Sequence, residues 1–307
     1  MHQADSNQTE SILGISWEDE VPSGRILNLR TDTIQKVTLM NYQLNYRIHK
    51  PVNRVCLGYR PVINDQEENS TCAKIPEKGR KCESCKRKEQ IFAAELHHAH
   101  TRDRSSLSAE IITHLERTNY LYIAIFGDGS IKVGTSTAKR VETRLLEQGA
   151  FFASIICETS DGFIVRTIED MVTNDIGLVQ AISTKRKMKG ILHPISQNAM
   201  RETLKDATDE VSYFLRSLPL NGYSMILENW DNPVIESPCW KKVLKYPKNL
   251  SSGTHDLTLV SICGRIGVLQ RDSETEFYAA DLDEIFGIIL EPGNFPPEDF
   301  TIQGELF

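Results

Sequence analysis

The 307-residue chain has no stretch approaching the ~20 consecutive apolar residues that a membrane-spanning helix requires. It also lacks a basic start followed by an apolar run. The N-terminus reads MHQADSNQTESILGISWEDE, so neither a secretory signal nor a transit peptide is expected, and the protein is read as cytoplasmic. There is no internal repeat and no low-complexity tract. With 40% hydrophobic and 25% charged residues, collagen-like, disordered and small disulfide-stapled classes are excluded. At about 150 residues per domain, two domains are expected.

Positive charge is in deficit, with 35 Lys+Arg against 42 Asp+Glu and a net charge of −7. Affinity for phosphate grows with the number of cationic contacts, which argues mildly against a general nucleic-acid coat protein. The deficit is uneven. Residues 270–307 carry one Arg against ten acidic residues, whereas residues 74–88 carry seven basic and two acidic residues. Lys185, Arg186, Lys187 and Lys189 form a second basic run.

Seven cysteines is an odd number, and thiols without a secretion signal are expected to stay reduced. Cys56, Cys72, Cys82 and Cys85 lie within thirty residues, the last two as a Cys-x-x-Cys knuckle in KCESCKRK. Four thiolates suit a tetrahedral structural Zn2+, because a two-residue gap lets both knuckle sulfurs reach one ion. The alternatives are free buried thiols or a redox pair, and the charged flanks supply no strand for a thioredoxin-like site. His97, His98 and His100 are either substitute ligands or solvated surface. Cys157, Cys239 and Cys263 sit in apolar contexts and are read as core.

Residues 1–24 are polar and aperiodic and are expected as a disordered tail. Residues 25–58 are β-rich and able to pair with 223–307, and residues 59–105 form the four-cysteine segment. Within 106–190, YLYIAIF alternates, Gly127-Asp128-Gly129-Ser130 supplies a turn, and IKVGTS returns, which predicts a β-hairpin. A helix over Thr137–Gln148 stops at Gly149, FFASIICE is a strand, and Ile164, Ile168, Met171 and Val172 repeat at helical spacing. Residues 191–221 are expected as a helical connection and 222–307 as a C-terminal β-rich region. The fold class is α+β, a small mixed-sheet core with a zinc-binding segment and β-rich flanks.

Tyr120-Leu121-Tyr122, Lys132-Val133-Gly134 after the hairpin, arginine on the next helix and Glu169 on the one after resemble the GIY-YIG nuclease superfamily over about 120–176. The run LYIAIFGDGSIKVGTSTAKRVETRLLEQGA, with the upstream cysteines, is also similar to an uncharacterised bacterial family, the domain of unknown function DUF 2797. The nuclease resemblance implies that Tyr122 matches the first-motif catalytic tyrosine and Gly134 the second-motif glycine. It further implies Arg144 or Arg140 as the helix arginine and Glu169 as the glutamate that holds Mg2+ or Mn2+. The chain departs from the pattern at Lys132, which replaces the second-motif tyrosine, and at Tyr120, which replaces the first-motif glycine. Lys132 is then a phosphate contact or a cation that depresses the pKa of Tyr122.

Three functions follow. One is a zinc-containing protein that binds and hydrolyses nucleic acid, with the basic segments 74–88 and 185–189 as its contacts. A second is a small-molecule enzyme using the same Tyr122, Lys132, Arg144 and Glu169 pocket on a carboxylate or phosphate. A third is a non-catalytic binding module.

Overall fold

The structure is a computed structural model that describes residues 9–59, 70, 72, 74–271 and 275–296. Two compact units divide the chain: one gathers 1–58, 71–85 and 237–307, the other 59–70 and 86–236. Residues 1–8 of the expected tail, 60–69 of the expected four-cysteine segment and 297–307 of the expected C-terminal region lie outside the described residues.

The first unit begins with an antiparallel sheet of β1 (Glu10–Glu18), β2 (Val21–Asn28) and β3 (Thr33–Thr38), in that order. The expectation of a disordered tail over 1–24 is therefore corrected for residues 10–24. Ile12, Leu13 and Trp17 are buried there, but the register shifts between Ile12 and Gly14, which breaks the alternation by which a strand is read. Two short strands follow, β4 (Tyr42–Gln43) and β5 (Tyr46–Ile48).

The second unit carries most of the helix. Its chain order is α1 (Glu83–His97, whose first turn belongs to the first unit), α2 (Ala109–Leu115), β6 (Asn119–Ile125), β7 (Ile131–Thr137), α3 (Val141–Gln148), β8 (Phe152–Thr159), α4 (Gly162–Met171), α5 (Thr184–Leu192), α6 (Gln197–Ser217) and β9 (Tyr223–Asp231). The sheet order is β7-β6-β8-β9, all antiparallel, so β6 is central and buried on both faces. Tyr122, Ala124 and Phe126 alternate onto the face that packs on Val141 and Leu145 of α3.

Local chemistry sets the boundaries of these elements. The hairpin turns at Gly129, whose φ of 81° suits glycine, while the Asp128 carboxylate accepts from Ser130 N–H at 3.0 Å. Gly149, at φ 69°, caps α3 by donating to the Leu145 and Leu146 carbonyls. Asp161 starts α4 by accepting from the N–H groups of Phe163 (3.0 Å) and Ile164 (2.9 Å). Beyond Met171 the helix widens into a π-turn over Val172–Ile176 that ends at Gly177.

Tyr223 does not open a separate β-rich region. A buried stripe of Met200, Leu204, Val211 and Leu215 on α6 returns the chain, and β9 joins the sheet as its edge strand beside β8. The first unit then resumes with β10 (Val243–Lys245), β11 (Gly253–His255), β12 (Thr258–Cys263), β13 (Ile266–Gln270), β14 (Phe277–Asp281) and β15 (Glu291–Pro292). They build sheets of order β10-β14-β13-β12-β4 and β11-β5-β15. Cys157, Cys239 and Cys263 are buried.

Candidate functional site

In the first unit the Sγ atoms of Cys56, Cys72, Cys82 and Cys85 all lie within 4.8 Å of one another. Four thiolates at ~2.3 Å from a zinc ion stand about 3.8 Å apart in a tetrahedron. Cys72 and Cys82 are separated by 3.8 Å. Cys56 Sγ accepts from the N–H groups of Cys82 (3.2 Å) and Gly58 (3.4 Å), and Cys82 accepts from the N–H of Cys85. Such amide donors stabilise thiolates, and they hold the Cys82 thiol down at about 7. Burial pushes Cys56 and Cys85 up. The donor set is soft and closed, so the four residues could hold Zn2+. Among the described residues the cluster consists of these four cysteines and includes no histidine.

In the second unit, Tyr122 pairs with Gly134 across β6 and β7. A Cβ at position 134 would stand 2.6 Å from the phenol oxygen, so the ring lies directly on the glycine backbone. Tyr122 is fully buried, and its oxygen accepts from Gln148 Nε2 at 2.8 Å and from the Arg144 guanidinium. Burial raises its pKa to about 12 against the opposing pull of Arg144 and Gln148. Lys132 is not among the groups that lower it; Arg144 does what was expected of Lys132.

Lys132 is two residues before Gly134 on β7 and only 7% exposed. Its Nζ donates to the Gln180 carbonyl at 2.9 Å and stands 5.8 Å from the centroid of the Tyr122 ring. Burial first, then Arg144 and Lys187, lower the ammonium pKa to about 8, with Glu169 opposing. The Gln180 segment is tied to the free edge of β7, where Val133 N–H donates to Val179 O at 3.0 Å. It is tied to α4 where Gln180 Nε2 donates to Asp170 at 3.0 Å and to Thr173 at 3.2 Å.

Glu169 lies on the buried side of α4 and is 7% exposed, with no hydrogen-bond or ion-pair partner among the described residues. Burial raises its pKa, while the fields of Arg166 and Lys132 pull it down. Arg166, one turn before Glu169 on α4, acts on it through its field without direct contact; the Arg166 guanidinium instead reaches His97 Nδ1 at 3.5 Å. Burial lowers the Arg166 pKa, and Arg144 adds to that effect. Arg144 forms an ion pair with Glu147 at 3.6 Å, and Arg140 forms one with the same carboxylate at 3.2 Å. Of the two arginines, Arg144 is the one whose field acts on Tyr122, Lys132 and Arg166.

Five participants escaped the sequence reading of the site: Gln148, Arg166, Asp170, Gln180 and His100. His100 meets Asp170 at 2.8 Å, and burial of Asp170 is outweighed by the His100 and Gln180 hydrogen bonds, which hold its pKa low. Lys187 enters from α5 and donates to the Gln148 carbonyl at 2.8 Å. Only glycine allows that approach, because a Cβ on Gly190 would stand 2.5 Å from the Asp128 nitrogen of the hairpin turn.

A family model described as "Protein of unknown function (DUF2797)" matches residues 47–257. No curated protein and no solved structure matches the chain.

Proposed function

From the premise that this chain belongs to the DUF2797 family, we propose that it is a zinc-containing, metal-dependent phosphodiesterase of nucleic acid with a GIY-YIG-like core. The observation that carries the reading is Glu169, a largely buried carboxylate with no hydrogen-bond or ion-pair partner among the described residues, which lies in the fields of Arg166, Lys132 and His100. A carboxylate that no protein donor engages, set in the field of cations, is available to a ligand. The order of hairpin, α3, β8 and α4, with β6 central, supports the same reading.

Glu169 is the residue that would hold Mg2+ or Mn2+, which often rests on one or two carboxylates together with substrate phosphate. Bound there, the cation supplies Lewis-acid stabilisation of phosphoryl oxygen. Arg144 contacts the non-bridging oxygens, and Tyr122, held by Gln148 and Arg144, orients the attacking water. The basic segments 74–88 and 185–189 contact the nucleic-acid backbone, Zn2+ on the four cysteines is structural, and the protein works in the cytoplasm.

The test is incubation of the full chain with single- and double-stranded DNA and RNA, with Mg2+, Mn2+ or a chelator. Cleavage that the chelator stops is expected. A salt-independent interaction, or no cleavage of any substrate, opposes the reading.

A further inference from the structure

We propose that Lys132 is the general base that takes the proton from the attacking water, a role that rests on the phosphodiesterase reading above. The geometry disfavours the ammonium form. Three N–H groups of a charged lysine need acceptors, and Nζ has one, the main-chain carbonyl of Gln180 at 2.9 Å. It forms no ion pair among the described residues, although its side chain is nearly fully buried. A buried charge without a carboxylate partner is costly, and loss of the proton removes that cost.

The groups that act on Lys132 favour the same state. Arg144 from α3 and Lys187 from α5 oppose its protonation, and Glu169 from α4 favours it without touching it. The Tyr122 ring face, 5.8 Å from Nζ to its centroid, is a weak cation–π contact that also favours the charged form and does not outweigh burial. With the lysine near 8, a useful fraction is free base at neutral pH, whereas Tyr122 near 12 keeps its proton. Lys132 thus occupies the position of the missing motif tyrosine with a group better suited to accept a proton there.

In the step, one water proton moves to Nζ while the water oxygen forms a bond to phosphorus. The P–O bond to the leaving nucleotide breaks, that oxygen departs with the electron pair, and it takes a proton from solvent. Lys132 returns its proton to bulk water.

Two measurements test this. The first follows lysine 13Cε resonances of the full chain against pH, with Lys132→Arg identifying the signal. One lysine is expected to titrate near 8, and titration of every lysine above about 10 overturns the proposal. The second compares cleavage. Lys132→Arg, which keeps a cation but offers no base, is expected to lose about 100-fold or more in kcat with little change in KM. Lys132→Ala is expected to regain rate with added methylamine, in proportion to its free-base form. A Lys132→Arg protein that melts and cleaves like the unaltered chain overturns the base role and leaves the phosphodiesterase reading standing. No cleavage by the unaltered chain, with a lysine that still titrates near 8, removes the reaction and the base role with it.

Discussion

Tyr122 and Gly134 face each other across β6 and β7 so closely that a single added carbon at position 134 would stand 2.6 Å from the tyrosine hydroxyl. The ring cannot give way easily, because it packs with Ala124, Phe126, Val141 and Leu145 in one core cluster. Gly134→Ala is therefore expected to cost about 1–3 kcal/mol, the usual range for overpacking a filled core. Urea denaturation reads the cost, and near-ultraviolet circular dichroism reads the displaced ring. An unchanged spectrum and midpoint would contradict the contact.

Asp161 holds two of the orphan N–H groups of the helix that carries Glu169. Asp161→Ala should destabilise the fold by ~1 kcal/mol. Asp161→Asn, which keeps the acceptor, should lose less than half of that in the same assay.

Burial holds Lys132 near 8 in the folded chain, and an unfolded lysine titrates near 10.4. Between these values the unfolded chain binds the extra proton. Stability from this group therefore falls as pH drops from about 10.5 to about 8 and is constant below. Lys132→Met should flatten that part of the profile and be more stable at pH 7, by on the order of 1–3 kcal/mol. Denaturation midpoints of both proteins across pH 7 to 11 decide it, and parallel profiles would contradict the burial of a chargeable amine.

Glu169 has the opposite sign. Its folded pKa is raised, so its charge costs stability as pH rises through the unfolded value and beyond. Glu169→Gln should leave the protein at least as stable as the original at pH 7. A marked loss of stability would mean that the carboxylate has a structural partner.

The four sulfurs within 4.8 Å predict one zinc per purified chain by elemental analysis. Replacing any one of Cys56, Cys72, Cys82 or Cys85 by Ser should lower that content well below one and lower the melting temperature. Full stability of the unaltered chain after exhaustive chelation would argue against a structural metal.

Local chemistry made much of this unit readable. The Gly127–Ser130 turn, the stop at Gly149, and the repeat of Ile164, Ile168 and Val172 each act through near neighbours, and letters record near neighbours well. The Cys82–Cys85 knuckle is legible for the same reason, and the chemistry of thiols points from it to Cys56 and Cys72. Four things were not. The strand over Glu10–Glu18 was hidden by the register shift at Gly14 and by a buried Ser11 among its apolar residues. The return of β9 to β8 depends on the long α6 and not on any residue of β9 itself. Gln148, Gln180 and Asp170 act across 26, 48 and 10 residues of chain, on Tyr122, Lys132 and Gln180, and no spacing rule connects such positions. Periodicity could not show that Glu169 has no partner among the described residues, because Arg166 stands one helical turn away and yet does not touch it.

The most direct test of the account is cleavage by the unaltered chain and by Glu169→Gln, purified side by side, on a mixed panel of DNA and RNA with Mn2+ or Mg2+. Metal-dependent cleavage is expected from the first and none from the second, with both folded to the same melting temperature or the variant higher. Equal cleavage by both proteins, or none by either, would contradict it.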